Sequence, residues 1–600
     1  MSFRLQEFIH KYEVGAGARL VKFTLAWIVL ISLAVIYDSV AFRNLGTAEG
    51  MDAAQLAQRI AAGKGFTTGF VRPFSLCLLA KGRGDPLQLA QVTDPKLLVE
   101  HPDLANAPAY PLLLAGVFKL LPFTHVDVTK GQGFQIYKPD LWLAIVNQVF
   151  IVLGAFLVLR LGRKLFDEPV GWISAGVFAG AEIFWKASIG GVPGPFLAVI
   201  FLLLFSTLVS LQAEEEKRRL WRALLAGMLV AIAALTRYSY AWLIIPMLFW
   251  LGGLSGQKKG SLIAIALFGF ALLWLPWIVR NYTLSGTPFG TAGYGLYQGT
   301  PFFQDDQLER TLNPDFSTTD TSFFWTKMLP NIRDSLAKLP NLGGSWASAF
   351  FIAGLLVVFR NATLRRVRTY LLWVFGTLLL VQALGRTWLS TDAPEIGGEN
   401  LLLPLAPIAF IYGTGFFFIL MQQMGLPTAG YRIAGAGLFC ILVSAPLLLG
   451  LFPPHPSPLV YPPYYTPWIQ EKAAYTKGGA LMVTDIPWAV AWYGDTGPNL
   501  WLPPKYKTAE GSFLKNDFFE IHQHPSPVKA LYLSDRTLKG IDMRSLYNYV
   551  RDEDLEQDWD HFVLGIFVKK EVPNGFPLKH APEGLIREIF LTDSERPVGK

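Results

Sequence analysis

Long apolar runs separated by polar segments set the pattern of this chain. A first run, Leu20–Ile36, is followed by a largely polar stretch that lasts until about Asp140. Runs then recur at about Leu141–Leu161, Gly171–Ile189 and Pro195–Leu211, and Trp221–Leu254 stays apolar apart from Arg237. Further runs lie at about Leu262–Val279, Trp346–Phe359, Thr369–Leu384, Leu401–Met421 and Ile433–Leu451. A helix needs roughly 20 apolar residues to cross a bilayer core about 30 Å thick. With Trp221–Leu254 split at Arg237, the pattern predicts about eleven transmembrane helices, in a mainly α polytopic membrane protein.

Two stretches of the first polar segment, 41–140, break the rhythm. Glu49–Pro73 (EGMDAAQLAQRIAAGKGFTTGFVRP) places Leu56, Ala57 and Ile60 on one helical face and Gln55, Gln58 and Arg59 towards the other. It predicts an interfacial helix that starts near Met51 and Asp52 and is ended by Gly63 and Gly65. Ala109–Pro122 (AYPLLLAGVFKLLP) is too short to span and predicts a second interfacial or re-entrant segment. With that choice, the basic residues at Arg163, Arg218, Lys258, Arg365-Arg366 and Arg432 all fall on the cytoplasmic side. Arg4, Lys11, Arg19 and Lys22 put the N-terminus there too. The C-terminus is then external.

The transmembrane domain is expected over 1–452, with large outer loops at 41–140 and 281–345. A proline-rich linker over 453–478, densest at Pro453–Pro463, leads to an extracytoplasmic domain at 479–600. There, short apolar stretches (Ala480–Thr484, Leu500–Leu502, Ala530–Leu533, His561–Val568) read as strands, with helical segments between them. The pattern predicts a small C-terminal α/β domain.

Composition agrees with the pattern: 52% hydrophobic, 16% charged, net charge +7 and a mean hydropathy of +0.35. The excess of cations belongs to cytoplasmic loops, so nucleic acid is not an expected partner. Ser39-Val40-Ala41 loosely fits a signal-peptide cleavage site, but the polar lead before the first run favours a retained signal anchor in the inner membrane. Cys77 and Cys440 are not expected to pair. No Walker motif, HExxH or CxxC occurs, and the histidines, including His522 and His524, form no ligand pattern. No cofactor is firmly implied, although a divalent cation is compatible with the chemistry below.

The candidate chemistry is carried by acids and cations on the outer side. Glu49 and Asp52, three residues apart at a helix start, suit a general base that deprotonates a hydroxyl; alternatively, either one caps the helix. Arg237 interrupts an apolar stretch, and a deep arginine is costly unless it faces a cavity or an anion. Arg72, Arg280 and Arg386 add guanidinium groups suited to phosphate oxygens, with snorkelling to headgroups the alternative for the last two.

The order of these features resembles the C superfamily of membrane glycosyltransferases (GT-C), and within it the polyprenyl-phosphate-sugar-dependent group of protein O-mannosyltransferases and the aminoarabinose transferase. EGMDAAQLAQRIAAGKGF, NAPAYPLLLAGVFKL, LTRYSYAWLIIP, LPWIVRNYTLSGTPFG and GENLLLPLAPI carry the likeness over roughly residues 15–450. The resemblance implies an inverting transfer of a sugar from a polyprenyl-phosphate donor to a glycan, lipid or protein acceptor on the outer membrane face, among membrane lipids. It assigns the catalytic acid to Glu49, with Gly50 where a second acid often sits, and adds Tyr110, Glu399 and Asn400 to the substrate-binding set. Two positions depart from the family: no acid stands near Gly194, and Asn106 replaces a lysine. Asp52 or Glu399 then becomes an alternative partner in catalysis.

Rival readings are a lipid-linked sugar flippase or secondary transporter, a catalytically degenerate relative, and a sensor or scaffold acting through the tail. Transporters of this size usually show two related halves and small outer loops, and neither is visible here.

Overall fold

The computed structural model describes all residues except 1–15, 83–99, 122–135, 212–215, 255–258, 313, 318–321, 343–344, 358–360, 388, 390–392, 425–428, 454–463, 477–479, 495–499, 504–527, 542–545, 548, 550, 552–558, 573–577, 581–587 and 594–600. Arg4, Lys11, Lys258, His522, His524 and most of the proline-rich run lie outside the described residues.

Among the described residues, 7 helices are long and apolar enough to cross a membrane. They are Leu20–Ala41, Lys138–Leu165, Arg218–Thr236, Lys259–Ser285, Ala362–Gly385, Leu403–Gln423 and Gly430–Gly450. Ala109–Leu120, Gly194–Ser210 and Tyr238–Gly252 are shorter apolar helices packed with them. The expected span Gly171–Ile189 is instead two helices, Glu168–Ala179 and Glu182–Ile189, interrupted at Gly180-Ala181. The outer segment 281–345 contributes a polar helix, Phe323–Lys338, that precedes Ser345–Leu356. Large apolar side chains such as Trp27, Phe156, Phe268 and Leu449 remain exposed on the long helices, where lipid would cover them.

The break in Trp221–Leu254 falls where the arginine predicts it. Helix Glu216–Thr236 stops, Arg237 is extended at φ −151°, and a 3-10 turn (Tyr238–Leu243) leads into Ile244–Gly252. Irregular backbone at membrane depth is tolerated where it lines a cavity. The basic residues Arg163, Lys164, Arg218, Lys259, Arg365 and Arg432 sit at the opposite helix ends from those that carry Arg237, Gly385 and Leu403.

The part of the chain beyond the membrane helices is organised by one sheet of order β1-β3-β2-β4-β6-β5. β2 (Leu481–Thr484), β3 (Leu500–Trp501) and β4 (Val528–Leu533) run parallel; β6 (Ile589–Thr592) and β5 (Lys579–His580) close one side with antiparallel pairings. The opposite edge strand, β1 (Phe70–Val71), comes from the first outer loop, pairing Phe70 with Leu500 and Val71 with Trp501. His561–Val568 is not a strand: it belongs to helix Trp559–Leu564 and its continuing turn, Gly565–Lys569. Trp559, Phe562, Val563 and Ile566, at helical spacing, are buried together with sheet residues such as Val483 and Leu531.

Polar clamps hold this sheet unit to the membrane helices. Asp140, in the first turn of Lys138–Leu165, accepts hydrogen bonds from the Leu45 amide (2.9 Å), the Trp492 indole (2.7 Å) and the Tyr493 hydroxyl (2.7 Å). Asn44, at φ 67°, donates to Thr466 and accepts from the Tyr137 amide. Asn tolerates that left-handed conformation better than most residues do. Cys77 and Cys440 are both free.

Candidate active site

Helix Ala48–Ala61 carries the two acids, and its capping is decided by Thr47. The Thr47 hydroxyl accepts the Gly50 amide at 3.0 Å and donates to the Gly190 carbonyl, so neither Glu49 nor Asp52 is used as a cap. The helix is not amphipathic in its surroundings: residues 50–57 are buried, Gln55 included. Helix Pro487–Tyr493 of the tail packs against it, and Gln55 becomes an internal bridge from Asp52 and Thr68 to the Gly69 amide, while Gln58 and Arg59 stay partly exposed. Gly50 is explained sterically, since a Cβ there would stand 2.3 Å from the Gly190 carbonyl oxygen.

Glu49 points into a cavity of about 180 Å³ also lined by Asp52, Arg72, Arg237 and Glu399. Its Oε2 accepts the Gly398 amide at 2.7 Å, and its Oε1 lies 3.4 Å from Arg237 Nη1. Arg237 reaches Glu399 with its other nitrogen at 3.5 Å. Glu399 is nearly inaccessible and is held by the Thr387 amide and hydroxyl. The side chains of Glu49 and Arg237 keep 23% and 22% exposure, so both retain a face towards the cavity. Burial raises the Glu49 carboxyl above its ordinary range, with Arg237 and the Gly398 amide opposing the rise. A side chain at Gly398 would displace the two charged groups, since a Cβ would meet Glu49 Oε1 at 2.2 Å and Arg237 Nη1 at 2.3 Å.

Asp52 faces the same cavity in a different state. Its Oδ2 accepts Arg72 Nη2 at 2.6 Å and Asn106 Nδ2 at 2.9 Å, while its Oδ1 accepts Gln55 at 2.9 Å. Arg72 also meets Asp103 at 3.4 Å and Glu309 at 4.0 Å, and stacks over Phe70. Burial works against the Arg72 charge, but Asp52, Glu309 and Asp103 more than offset it and hold the guanidinium above its ordinary value. Burial raises the carboxyls of Asp103 and Glu309.

Five of the sequence-derived residues, Glu49, Asp52, Arg72, Arg237 and Glu399, therefore share one cavity. The other four do not line it. Arg280 donates to the Asp103 and Phe66 carbonyls at 2.7 and 3.2 Å and packs on Trp277, pinning the 101–107 loop. Tyr110 is buried, donating to the Gly191 carbonyl at 2.9 Å and accepting from Asn147. Arg386 pairs with Asp334, and Asn400 donates to the Glu395 carbonyl; both line a neighbouring cavity of about 110 Å³ that shares Glu399 as a wall. Sequence reasoning missed Gly398, Thr387, Glu309 and Trp488. Gly398 opens the GENLLLPLAPI stretch and Thr387 follows Arg386, but Glu309 and Trp488 lie in segments whose fold alone brings them here.

Among the described residues, no group of three or more His, Cys, Asp or Glu could hold a metal ion. Arg237 stands between Glu49 and Glu399 and pairs with both.

A family model described as dolichyl-phosphate-mannose-protein mannosyltransferase matches residues 133–280. No curated protein matches the chain. Among solved structures, ArnT from Cupriavidus metallidurans in the apo state is similar at 9% identity and TM-score 0.52, over 95% of this chain and 98% of that one. The same protein bound to undecaprenyl phosphate gives 11% identity and TM-score 0.50, over 97% and 99%. The Archaeoglobus fulgidus oligosaccharyltransferase tethered to an acceptor peptide containing the NVT sequon gives 12% identity and TM-score 0.50, over 84% and 68%. The chain has the GT-C fold: a helical membrane part with a small sheet-containing region near the C-terminus.

Proposed function

We propose that this chain is an integral-membrane glycosyltransferase of the inner membrane. It moves a sugar from a polyprenyl-phosphate donor to an acceptor hydroxyl on the outer face, with inversion, and Glu49 is the general base. The fold and the matched family model support the reaction class. The resemblance to a structure bound to undecaprenyl phosphate supports a donor of that chemistry. Basic residues at the helix ends away from the cavity support a cytoplasmic N-terminus and an outward-facing site.

The observation that carries the choice of base is the contrast in hydrogen bonding between the two acids. An ionised carboxylate offers about four lone-pair sites. Asp52 receives three short contacts from Arg72, Asn106 and Gln55. Glu49 has one short bond, from Gly398, and a longer ion pair, and it keeps oxygen surface open to the cavity. A base whose pKa is raised towards the working pH is also the better proton acceptor.

The step balances as a single displacement. The acceptor hydroxyl gives its proton to Glu49 while its oxygen bonds the sugar C1, and the C1–O bond to phosphate breaks with its electron pair leaving on the polyprenyl phosphate. Arg237 stabilises that charge, and as it turns to the phosphate it releases Glu49 from its ion pair. A phosphate leaving group needs no strong acid. Arg72 and Asp52 keep the cavity wall in shape.

A radiolabelled polyprenyl-phosphate sugar, offered with crude envelope acceptors to the purified protein, tests the reading. Wild type should consume donor, Glu49→Gln should not while still binding it, and Asp52→Asn should retain turnover. Movement of intact donor across vesicles without consumption would replace the transferase with a flippase.

A further inference from the structure

The outer sheet reaches the cavity at the carboxyl end of β1, through Arg72, and beyond that of β2, through Trp488. β1, β3, β2 and β4 all run in one direction, and the residues leaving them are Arg72, Leu502, Asp485 and Ser534. Open parallel sheets hold ligands at that edge. Asp485 fixes the edge by accepting the Ser534 amide and hydroxyl, each at 2.9 Å, and the Thr537 hydroxyl at 2.7 Å. Two residues beyond β2, helix Pro487–Tyr493 begins and carries Trp488 into the cavity lining beside Arg72, Glu309 and Gln298.

The indole is held in place. Its Nε1 donates to the Tyr464 hydroxyl at 3.2 Å, Phe70 meets the ring edge-to-face at 6.4 Å, and the Arg536 guanidinium lies 5.2 Å from it. Trp488 keeps 3% exposure and is the ring that the sheet domain contributes to a mixed lining, in which the Tyr238 ring, Ala107 and Leu389 stand among the polar residues. Planar polar side chains around an aromatic wall suit a ring that has hydroxyls at its rim and C–H groups on its face. Arg237 comes from a break in a membrane helix, whereas Trp488 comes from the outer sheet. A lipid-linked phosphate at the first leaves the second to the sugar.

We propose that Trp488 is a specificity-determining residue that contacts the sugar ring of the donor, so that the C-terminal domain forms a working wall of the cavity. This rests on the transferase reading. The test is equilibrium binding to the full-length protein in nanodiscs, with two kinds of probe: polyprenyl phosphate alone, and a panel of synthetic polyprenyl-phosphate hexoses and pentoses. Trp488→Ala should weaken the preferred sugar donor by about tenfold and leave polyprenyl phosphate within about twofold, with KM rising more than kcat falls; Trp488→Phe should restore most of the loss.

Docking of the tail is checked in the same variants by a disulfide between Gly69→Cys and Ala491→Cys, where the Cβ atoms would stand 3.1 Å apart. Selective loss of sugar-donor affinity with the crosslink retained supports the proposal. Unchanged affinity for every sugar donor overturns it, as does equal loss for both kinds of probe or selective loss only when the crosslink fails. A wild type that binds no sugar donor at all refutes the transferase reading, and the proposal falls with it.

Discussion

Glu49 and Asp52 leave the same turn of one helix and enter opposite environments. Around Asp52 the chain closes a network: Arg72, Asn106 and Gln55 reach the carboxylate, and Asp103 fixes Asn106 through the amides of Ala105 and Asn106. Around Glu49 the arrangement stays open, with one backbone amide, one arginine shared with Glu399 and a cavity beyond. On the proposed reading, the saturated acid holds the structure and the incompletely coordinated one takes the proton. Composition cannot separate them, because the difference lies in which partners the fold delivers.

The contrast is most exposed at Glu49. Glu49→Gln should lower transfer by roughly 10²–10⁴ with little change in melting temperature, measured on purified protein with labelled donor. If Asp52→Asn produced that loss instead, with stability intact, the roles would be reversed.

Arg237 gives the next largest effect. Arg237→Gln should weaken donor binding by about tenfold or more, since the charge facing the phosphate is lost. It should also move the pH profile. As the proposed base, Glu49 would have to be deprotonated to act, so kcat/KM should rise with pH through a value above the ordinary glutamate range. Arg237 lowers that value, and its removal should shift the rising limb to higher pH.

Asp52→Asn should act on stability before chemistry. Taking one charge from the buried Arg72 network should cost about 1–3 kcal/mol, read as a lower melting temperature, while turnover by the folded fraction stays within about tenfold of wild type. Combining Asp52→Asn with Arg72→Gln should cost less than the sum of the single changes, because the pair is then removed together.

The smallest effect separates the pH response of the tail from that of the site. Burial pushes Glu588, beside β6, up to about 7. A carboxyl raised in the folded state contributes stability below its unfolded value, and that contribution is lost as pH rises through about 7. Unfolding of the tail, followed by tryptophan fluorescence, should therefore come a few degrees lower at pH 8 than at pH 5. Glu588→Gln should flatten that dependence without moving the Glu49 limb.

Much of the membrane part was legible because lipid imposes a simple rule on apolar runs. The break at Arg237, the short helix at Ala109 and the helix carrying Glu49 all followed from where polar residues interrupt such runs. The outer unit obeyed no comparable rule. β1 is two residues long and has no periodicity to detect, yet it seats Arg72 beside the tail. His561–Val568 has the apolar composition of a strand, and only the spacing of Trp559, Phe562, Val563 and Ile566 identifies the helix. Arg280 and Tyr110 showed suitable chemistry for a substrate site, but nearby carbonyls engage both, and local sequence does not encode that partnership.

The edge strand from the first outer loop also constrains how the molecule is made. Tyr493 reaches the Leu45 carbonyl across 448 residues of chain, and β1 waits on β3 over a similar distance. At about 5–20 residues per second, a ribosome needs roughly half a minute to a minute and a half to supply those partners. Until then Phe70 and Val71 present an unpaired strand edge, and the wall that contains Arg72 is unfinished. A chain truncated before Leu500 would keep every residue that lines the cavity but lack the strand that pairs Phe70 and Val71, so the support behind Arg72 is the last part of the wall to be made.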